Sequence, residues 1–290
     1  MCRLFGMSGA PDRVRATFWL LEASDSLLAQ SHREPDGTGL GYFAADGTPR
    51  LDKAPIAAFE DRAFAREGRS VASETFVAHI RYASTGGLRL ENTHPFEQRG
   101  RLLAHNGVIE DLPKLEAQLG RYRDLVRGET DSERFFALVT KQADERGDVG
   151  AGLAAAARWV ARELPLFALN IVLVTHEELW ALRYPDTHAL YVLEREGGKA
   201  LEHSSRAGTI HVRSSDLAGG DSVVIASEPM DDDPGWRLLD SGELLHVDGE
   251  LRIDTKIVID HPPRHPLTLA DLGPAAAKSQ TAHPTGAAAS

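Results

Sequence analysis

The second residue of the chain, Cys2, is its only cysteine. A single thiol can form neither an internal disulfide nor a metal site built from several thiolates, so neither can hold this fold together. A small residue at position two usually allows removal of the initiator methionine, which would leave Cys2 as the mature N-terminus. Its α-amine, with a pKa near ~7.7–8.0, could then accept the proton of its own thiol. The position alone fits a small buried apolar residue equally well.

The charge balance and the distribution of apolar residues exclude several classes of protein. Lysine and arginine number 32 against 43 acidic residues, a net charge of −11, which does not favour a nucleic-acid surface. The N-terminus has no basic segment followed by an apolar one, and no run of about eighteen apolar residues occurs, so we predict neither a signal peptide nor a membrane span. We therefore expect a cytoplasmic protein, in which a reduced thiol persists.

The hydrophobic periodicity predicts both strands and helices, and since we find neither an internal repeat nor a linker we expect one domain over residues 2–262. Strands are predicted at 4–9, 40–43, 75–82, 101–104, 167–175, 179–184, 189–193, 209–212 and 223–226, with a hairpin around 248–249. Helices are predicted at 14–30, 59–67, 112–119, 132–145 and 149–164. Residues 263–290 are rich in proline, alanine, threonine, serine and glycine, so we expect them to form a disordered tail.

Closely spaced glycines in residues 34–43 superficially suggest a dinucleotide-binding loop. Such a loop follows a strand and opens a helix, whereas this segment follows a Pro-Asp turn and runs into a strand. We therefore expect the glycines to permit close approach of another backbone or of a substrate. No pair of histidines has i, i+4 spacing on a clear helix, since His261 and His265 flank prolines, and the acidic residues 231–233 fit a solvated turn, so neither a metal nor a cofactor is predicted.

Polar residues crowd the predicted strand ends and the loops that follow them. Arg81, His94 and residues 105–107 are examples, and such crowding is typical of a functional site. Loop solvation and an Asn-Gly turn would explain part of the same pattern. Residues 130–133 fit a helix capping box, so any functional role of Asp131 has to coexist with a cap.

Six segments carry a family resemblance when they are taken in order. They are Cys2, Pro35-Asp36-Gly37-Thr38-Gly39, Arg81-Tyr82-Ala83-Ser84-Thr85, Asn92-Thr93-His94-Pro95-Phe96, His105-Asn106-Gly107 and Thr130-Asp131-Ser132-Glu133. This order resembles class II glutamine amidotransferases, and residues 226–236 are similar to stand-alone members, including γ-glutamyl hydrolases of ergothioneine synthesis and glutathione breakdown. The resemblance implies the four-layer αββα sandwich of N-terminal nucleophile hydrolases, with two antiparallel sheets between helical layers.

The resemblance also implies a role for each motif residue. Cys2 would attack the side-chain amide of glutamine or a γ-glutamyl compound and form a glutamyl-thioester. Asn106 and the backbone N–H of Gly107 would form the oxyanion hole. Arg81 would bind the substrate α-carboxylate and Asp131 the α-ammonium. The remaining substrate-pocket residues would be Tyr82, Ser84, Thr85 and His94.

Two departures from the family pattern and three alternatives accompany this prediction. Thr38 stands where stand-alone relatives usually have a large aromatic residue, and Thr85 replaces the histidine of the glucosamine-forming branch, which argues against that branch.

The first alternative is a glutaminase subunit that supplies ammonia to a separate synthase. The second is an N-terminal cysteine hydrolase of acylated amines, which would not need both Arg81 and Asp131. The third is a non-catalytic binding domain on the same fold. The motifs do not identify the leaving group.

Overall fold

The computed structural model describes residues 2–82, 87–197, 201–204, 211–214 and 220–280. The strands are β1 (Arg3–Ser8), β2 (Gly37–Phe43), β3 (Pro49–Ala54), β4 (Thr75–Arg81), β5 (Phe96–Gln98), β6 (Arg101–Ile109), β7 (Pro165–Val174), β8 (Leu179–Arg183), β9 (Tyr191–Arg195), β10 (Leu201–Ser204), β11 (His211–Ser214), β12 (Ser222–Ala226), β13 (Arg237–Leu238), β14 (Glu243–Val247), β15 (Ile253–Ile257) and β16 (His265–Pro266). The α-helices are α1 (Leu27–Gln30), α2 (Arg62–Ser70), α3 (Leu112–Leu119), α4 (Asp131–Arg146), α5 (Val149–Glu163) and α6 (Pro274–Gln280).

Within the described residues the larger strands form two sheets. The first has the order β13-β9-β12-β1-β4-β2-β3, and the second has the order β15-β14-β8-β7-β6-β5. All pairings in both sheets are antiparallel except that of β16, which lies parallel to β7. Among the described residues, strands β10 and β11 pair only with each other.

Alternation along the strands gives each sheet two apolar faces. In β1, Phe5 belongs to a buried cluster with Trp19 and with Phe64 of α2, whereas Leu4 belongs to a cluster with Val172 of the second sheet. This alternation follows from the two-residue repeat of a strand. The outer face of the second sheet packs against α3, α4 and α5 in a third cluster. The layers are therefore helix, sheet, sheet and helix, which confirms the predicted αββα sandwich.

The expectation of a disordered tail from residue 263 is wrong as far as Gln280. Strand β16 and helix α6 lie in this segment, and Leu272 and Ala276 are buried against Val108 and Phe167 of the second sheet. The composition of this segment did not indicate that two of its apolar side chains bury against strands that are distant in the sequence. Residues 281–290 lie outside the described residues. None of the helices in the described segments has the length and apolar character needed to cross a bilayer.

Candidate active site

Cys2 lies directly before β1, the central strand of the first sheet. Its side chain is buried, and Sγ accepts a hydrogen bond from the backbone N–H of Tyr82 at 3.2 Å. The thiol can donate in turn to the Tyr82 carbonyl, which is 3.4 Å away. Pairing of β1 with β4 places Arg3 opposite Ile80 and so brings the end of β4 beside the cysteine.

Burial controls the electrostatics of the thiol. Loss of solvent raises the pKa of Cys2 above its ordinary value, and the negative charge of Glu34 raises it further. The Tyr82 N–H and the positive charge of Arg81 act in the opposite direction, but burial is the largest effect. A thiol with a raised pKa is protonated at neutral pH. It could act as a nucleophile only with a base that removes this proton.

Asn106 and Gly107 lie on β6, in the sheet opposite Cys2. Asn106 Nδ2 donates a hydrogen bond to the Cys2 carbonyl at 3.1 Å and so ties the two sheets together at the site. Its Oδ1 is buried and has no hydrogen-bond partner among the described residues. A Cβ atom on Gly107 would lie 1.8 Å from the carbonyl oxygen of Ala168, so only glycine fits between the strands at this point.

Arg81 and Tyr82 end β4 at the edge of the site. Arg81 is buried, pairs in register with Gly37 of β2 and donates from Nη1 to the carbonyl of Gly87 at 3.4 Å. A Cβ on Gly37 would lie 3.2 Å from the Arg81 Cβ, so the glycine gives the arginine its space. Ser84 and Thr85, which we predict to line the pocket, lie outside the described residues.

The glycine-rich strand β2 provides a second close approach. A Cβ on Gly39 would lie 1.9 Å from the carbonyl oxygen of His94. The glycines therefore permit the close approach of another backbone, as the sequence predicts. This contact fixes the loop that carries His94 against the first sheet.

Asp131 is the first residue of α4 and is also buried. Its Oδ2 accepts from the backbone N–H of Ile109 at 2.9 Å, and its Oδ1 accepts from that of Ser132 at 2.9 Å. The cap itself belongs to Thr130, whose Oγ1 accepts from the backbone N–H of Glu133 at 3.2 Å. Asp131 thus joins α4 to β6 three residues after Asn106 and is not needed as the capping residue.

Two histidines that line the site, His79 and His94, are in contact, with their ring centroids 4.3 Å apart and their planes tilted by 38°. All four of their ring nitrogens are buried without a hydrogen-bond partner in the described part of the chain. Burial lowers the pKa of His79 to about 3 and that of His94 well below its ordinary value. Both rings are therefore neutral at pH 7. The sequence analysis missed His79, although its position two residues before Arg81 on a strand places both on one face.

His105 is a third buried imidazole; the sequence analysis placed it in a motif but gave it no role. Its Nδ1 lies 2.9 Å from Ser132 Oγ, and its Nε2 lies 3.3 Å from the Ala168 carbonyl. Since a carbonyl can only accept, the proton of the neutral ring lies on Nε2. Ser132 Oγ is also 3.3 Å from Asp131 Oδ1, so these polar groups form one connected network behind the site.

The side chains of both sheets meet around a cavity of about 20 Å³. It is lined by every predicted site residue within the described part of the chain: Cys2, Arg81, Tyr82, His94, Asn106, Gly107 and Asp131. The lining residues to which the sequence analysis gave no role are His79, His105, Thr130, Ser132 and Gln280. Ser132 and Thr130 flank Asp131 in the chain, but Gln280 belongs to the segment expected to be disordered.

Comparisons with known proteins show which proteins this chain is similar to. A family model described as class-II glutamine amidotransferases matches residues 1–266, a region that ends before α6. The chain is 27% identical to a γ-glutamyl-hercynylcysteine sulfoxide hydrolase of Mycolicibacterium smegmatis over 85% of this chain and 96% of that protein.

Two solved structures are similar in fold. A glutamine aminotransferase class-II domain protein of Silicibacter pomeroyi matches with a TM-score of 0.55 and 20% identity, over 89% of this chain and 100% of that chain. The glutamine phosphoribosylpyrophosphate amidotransferase of Bacillus subtilis matches with a TM-score of 0.62 and 18% identity, over 90% of this chain. The chain spans only 50% of the length of that amidotransferase.

Proposed function

The chain belongs to the class-II glutamine amidotransferases, and from this we propose that it hydrolyses the side-chain amide of glutamine or a γ-glutamyl compound with Cys2 as an N-terminal nucleophile. One observation carries the proposal. The only cysteine of the chain shares a small buried cavity with an amide donor, an arginine and an aspartate, from Asn106, Arg81 and Asp131. These are the groups that attack on a γ-glutamyl amide requires.

The nucleophile needs a base, because burial keeps the thiol protonated. After removal of Met1, the α-amine of Cys2 takes the thiol proton while Sγ bonds to the amide carbon. The resulting ammonium gives the proton to the leaving nitrogen as the C–N bond breaks. This step leaves a γ-glutamyl thioester on Cys2. A water molecule then attacks the thioester and releases glutamate.

Negative charge develops on the carbonyl oxygen during both attacks. Asn106 Nδ2 has two hydrogens, and its bond to the Cys2 carbonyl uses one of them. The second hydrogen, together with the backbone N–H of Gly107, would stabilise the oxyanion. Asn106 is held before the substrate arrives, so its dipole needs little reorganisation in the transition state.

The two charged groups on the substrate α-carbon need opposite charges in the pocket. The planar guanidinium of Arg81 matches the α-carboxylate, and the Asp131 carboxylate matches the α-ammonium. Both Asp131 oxygens already accept backbone N–H groups, which keeps the carboxylate in a fixed position. The neutral rings of His79 and His94 would line the pocket without adding a competing charge.

The leaving group is the least constrained part of the proposal. The similarity to the sulfoxide hydrolase extends over nearly all of that protein, which supports a free-standing hydrolase of γ-glutamyl compounds. A second candidate is an ammonia-supplying subunit of a separate synthase, because the chain matches half of a longer amidotransferase. In that case the protein releases ammonia from glutamine and acts together with a partner.

A substrate panel tests the proposal and separates its two forms. Purified protein is incubated with glutamine, with γ-glutamyl peptides and with a matching panel of α-glutamyl peptides, and released glutamate is measured. We expect turnover of the γ-linked compounds only, and none by a Cys2→Ala variant. Preference for peptides supports the free-standing hydrolase, whereas preference for glutamine supports the ammonia-supplying subunit. Equal turnover of α-linked compounds, or an active Cys2→Ala variant, would contradict the proposal.

A further inference from the structure

Helix α6 ends at the candidate active site. Gln280, its last residue, is buried and lines the same cavity as Cys2. The Gln280 side-chain oxygen lies 2.7 Å from His188 Nε2, and Nε2 of Gln280 donates to Ser279 Oγ at 3.1 Å. Both ends of this amide are therefore held within the protein, beside the nucleophile.

The helix contacts the site from two sides. On one side, Leu272 and Ala276 pack against Val108 and Ala168, next to Gly107 and its strand partner in the second sheet. On the other side, Lys278 Nζ lies 5.6 Å from the ring centroid of Tyr82, which follows β4 of the first sheet. The helix thus spans the gap between the two sheets where the catalytic groups meet.

The space beside Cys2 is small. A cavity of about 20 Å³ holds roughly one water molecule. Sites that bind small molecules typically measure about 300–1,000 Å³. Gln280 forms part of the wall of this cavity, so movement of α6 would add to the space that a γ-glutamyl group needs.

We propose that α6 is a cover of the Cys2 pocket, latched by the Gln280–His188 contact, which has to move away before a γ-glutamyl substrate binds. The attachment suits a cover, since only two buried apolar side chains, Leu272 and Ala276, anchor it in the cluster with Val108 and Phe167. Apolar burial of that size contributes only a few kcal/mol. Substrate would select the open form and shift the population towards it. The substrate part of this inference rests on the proposed function.

Accessibility of Cys2 tests the cover without requiring turnover. Cys2 is the only cysteine, so the rate of alkylation by iodoacetamide reports this one site. Ala276 is buried and Ala275 is exposed on the same helix, which provides a matched pair of variants. Ala276→Glu places a charge in the buried contact and should accelerate alkylation by about tenfold or more. Ala275→Glu should alkylate at the wild-type rate, and all proteins should react equally in denaturant.

Gln280→Ala provides a second test in case the Ala276→Glu variant misfolds, because it removes the Gln280–His188 contact without adding a charge. It should also accelerate alkylation, with a melting temperature close to that of wild type. Equal alkylation rates in wild type, Ala276→Glu and Gln280→Ala would overturn the cover. Alkylation does not depend on hydrolysis, so this result is distinguishable from failure of the proposed function, which the substrate panel detects. In an active enzyme, opening of the cover should also lower KM for glutamine.

Discussion

Replacement of Asp131 by asparagine separates structural and substrate-binding roles of one carboxylate. Asparagine keeps one acceptor oxygen and replaces the other by NH2, so either the Ile109 or the Ser132 N–H loses its buried partner. An unsatisfied buried donor costs about 1–3 kcal/mol. In a chain of this size we expect the melting temperature to fall by several degrees, at about 2–4 °C per kcal/mol.

If Asp131 also binds the substrate α-ammonium, the substitution causes a further loss of activity. This loss is seen only with substrates that carry the α-ammonium group. Loss of one partner from a desolvated charge pair costs about 2–5 kcal/mol, so kcat/KM for glutamine should fall by about a hundredfold. For glutaramate, which lacks the α-amine, kcat/KM should change much less. The measurement is steady-state kinetics on both substrates, well below the melting temperature.

A control variant separates stability from selectivity. Asp148 caps α5 by accepting from the Ala151 N–H and does not line the cavity. Asp148→Ala should cost about 0.5–2 kcal/mol of stability and leave the ratio of the two substrates unchanged. If Asp131→Asn lowers kcat/KM for glutamine and glutaramate in equal proportion, Asp131 does not bind the ammonium, and the γ-glutamyl specificity loses its main support.

Two further predictions concern the oxyanion hole and acid stability. Asn106→Ala removes one donor to the developing oxyanion, so kcat should fall by about 10²–10³ with little change in KM; an unchanged kcat would exclude Asn106 from the reaction. His79 has a pKa of about 3 in the folded chain and near ~6.5 when unfolded, so unfolding takes up a proton between these pH values. The free energy of unfolding should therefore fall as the pH drops below about 6.5, by up to ~1.4 kcal/mol per pH unit from this residue. Urea unfolding between pH 4 and 7 should give a shallower slope for His79→Gln than for wild type, and an identical slope would show that His79 is not held neutral.

Many of the regular elements were predictable because their signals are local, but the predicted helix 14–30 is wrong: this segment has a π-helix at Phe18–Glu22 and the short α1 at Leu27–Gln30. The predicted helix 149–164 corresponds to α5 (Val149–Glu163), and the predicted strand 75–82 corresponds to β4 (Thr75–Arg81). In both segments the apolar repeat matches the period of the element. The predicted helix 59–67 is displaced to Arg62–Ser70, because the Asp61 side chain accepts from the N–H groups of Ala63 and Phe64 and so sets its start.

The features that sequence reasoning missed depend on contacts between distant residues. The strand predicted at 101–104 continues to Ile109, because Asn106 and Gly107 pair in register with Asn170 and Leu169 of β7. An Asn-Gly pair by itself favours a turn. The ordered segment up to Gln280 has the same origin, since its apolar residues bury against strands more than a hundred residues earlier.

The candidate site was predictable in part for a different reason. Five motifs in a fixed order behind Cys2 identified its members, and the structure brings together those that it describes. His79 belongs to no motif, and His105 belongs to one but was given no role; the paired sheets bring both into the cavity. The roles of all these residues remain predictions.

The central claim is that Cys2, as the mature N-terminus, is the nucleophile. Purified protein is treated with a glutamine-like electrophile, and intact mass and peptide mapping are measured before and after. We predict that the mature chain begins at Cys2 and that a single adduct forms on that residue. Turnover should fall in proportion to the labelled fraction and be lost completely when all of the protein is labelled. A fully active protein that retains Met1, or inactivation by an adduct on any other residue, would contradict the claim.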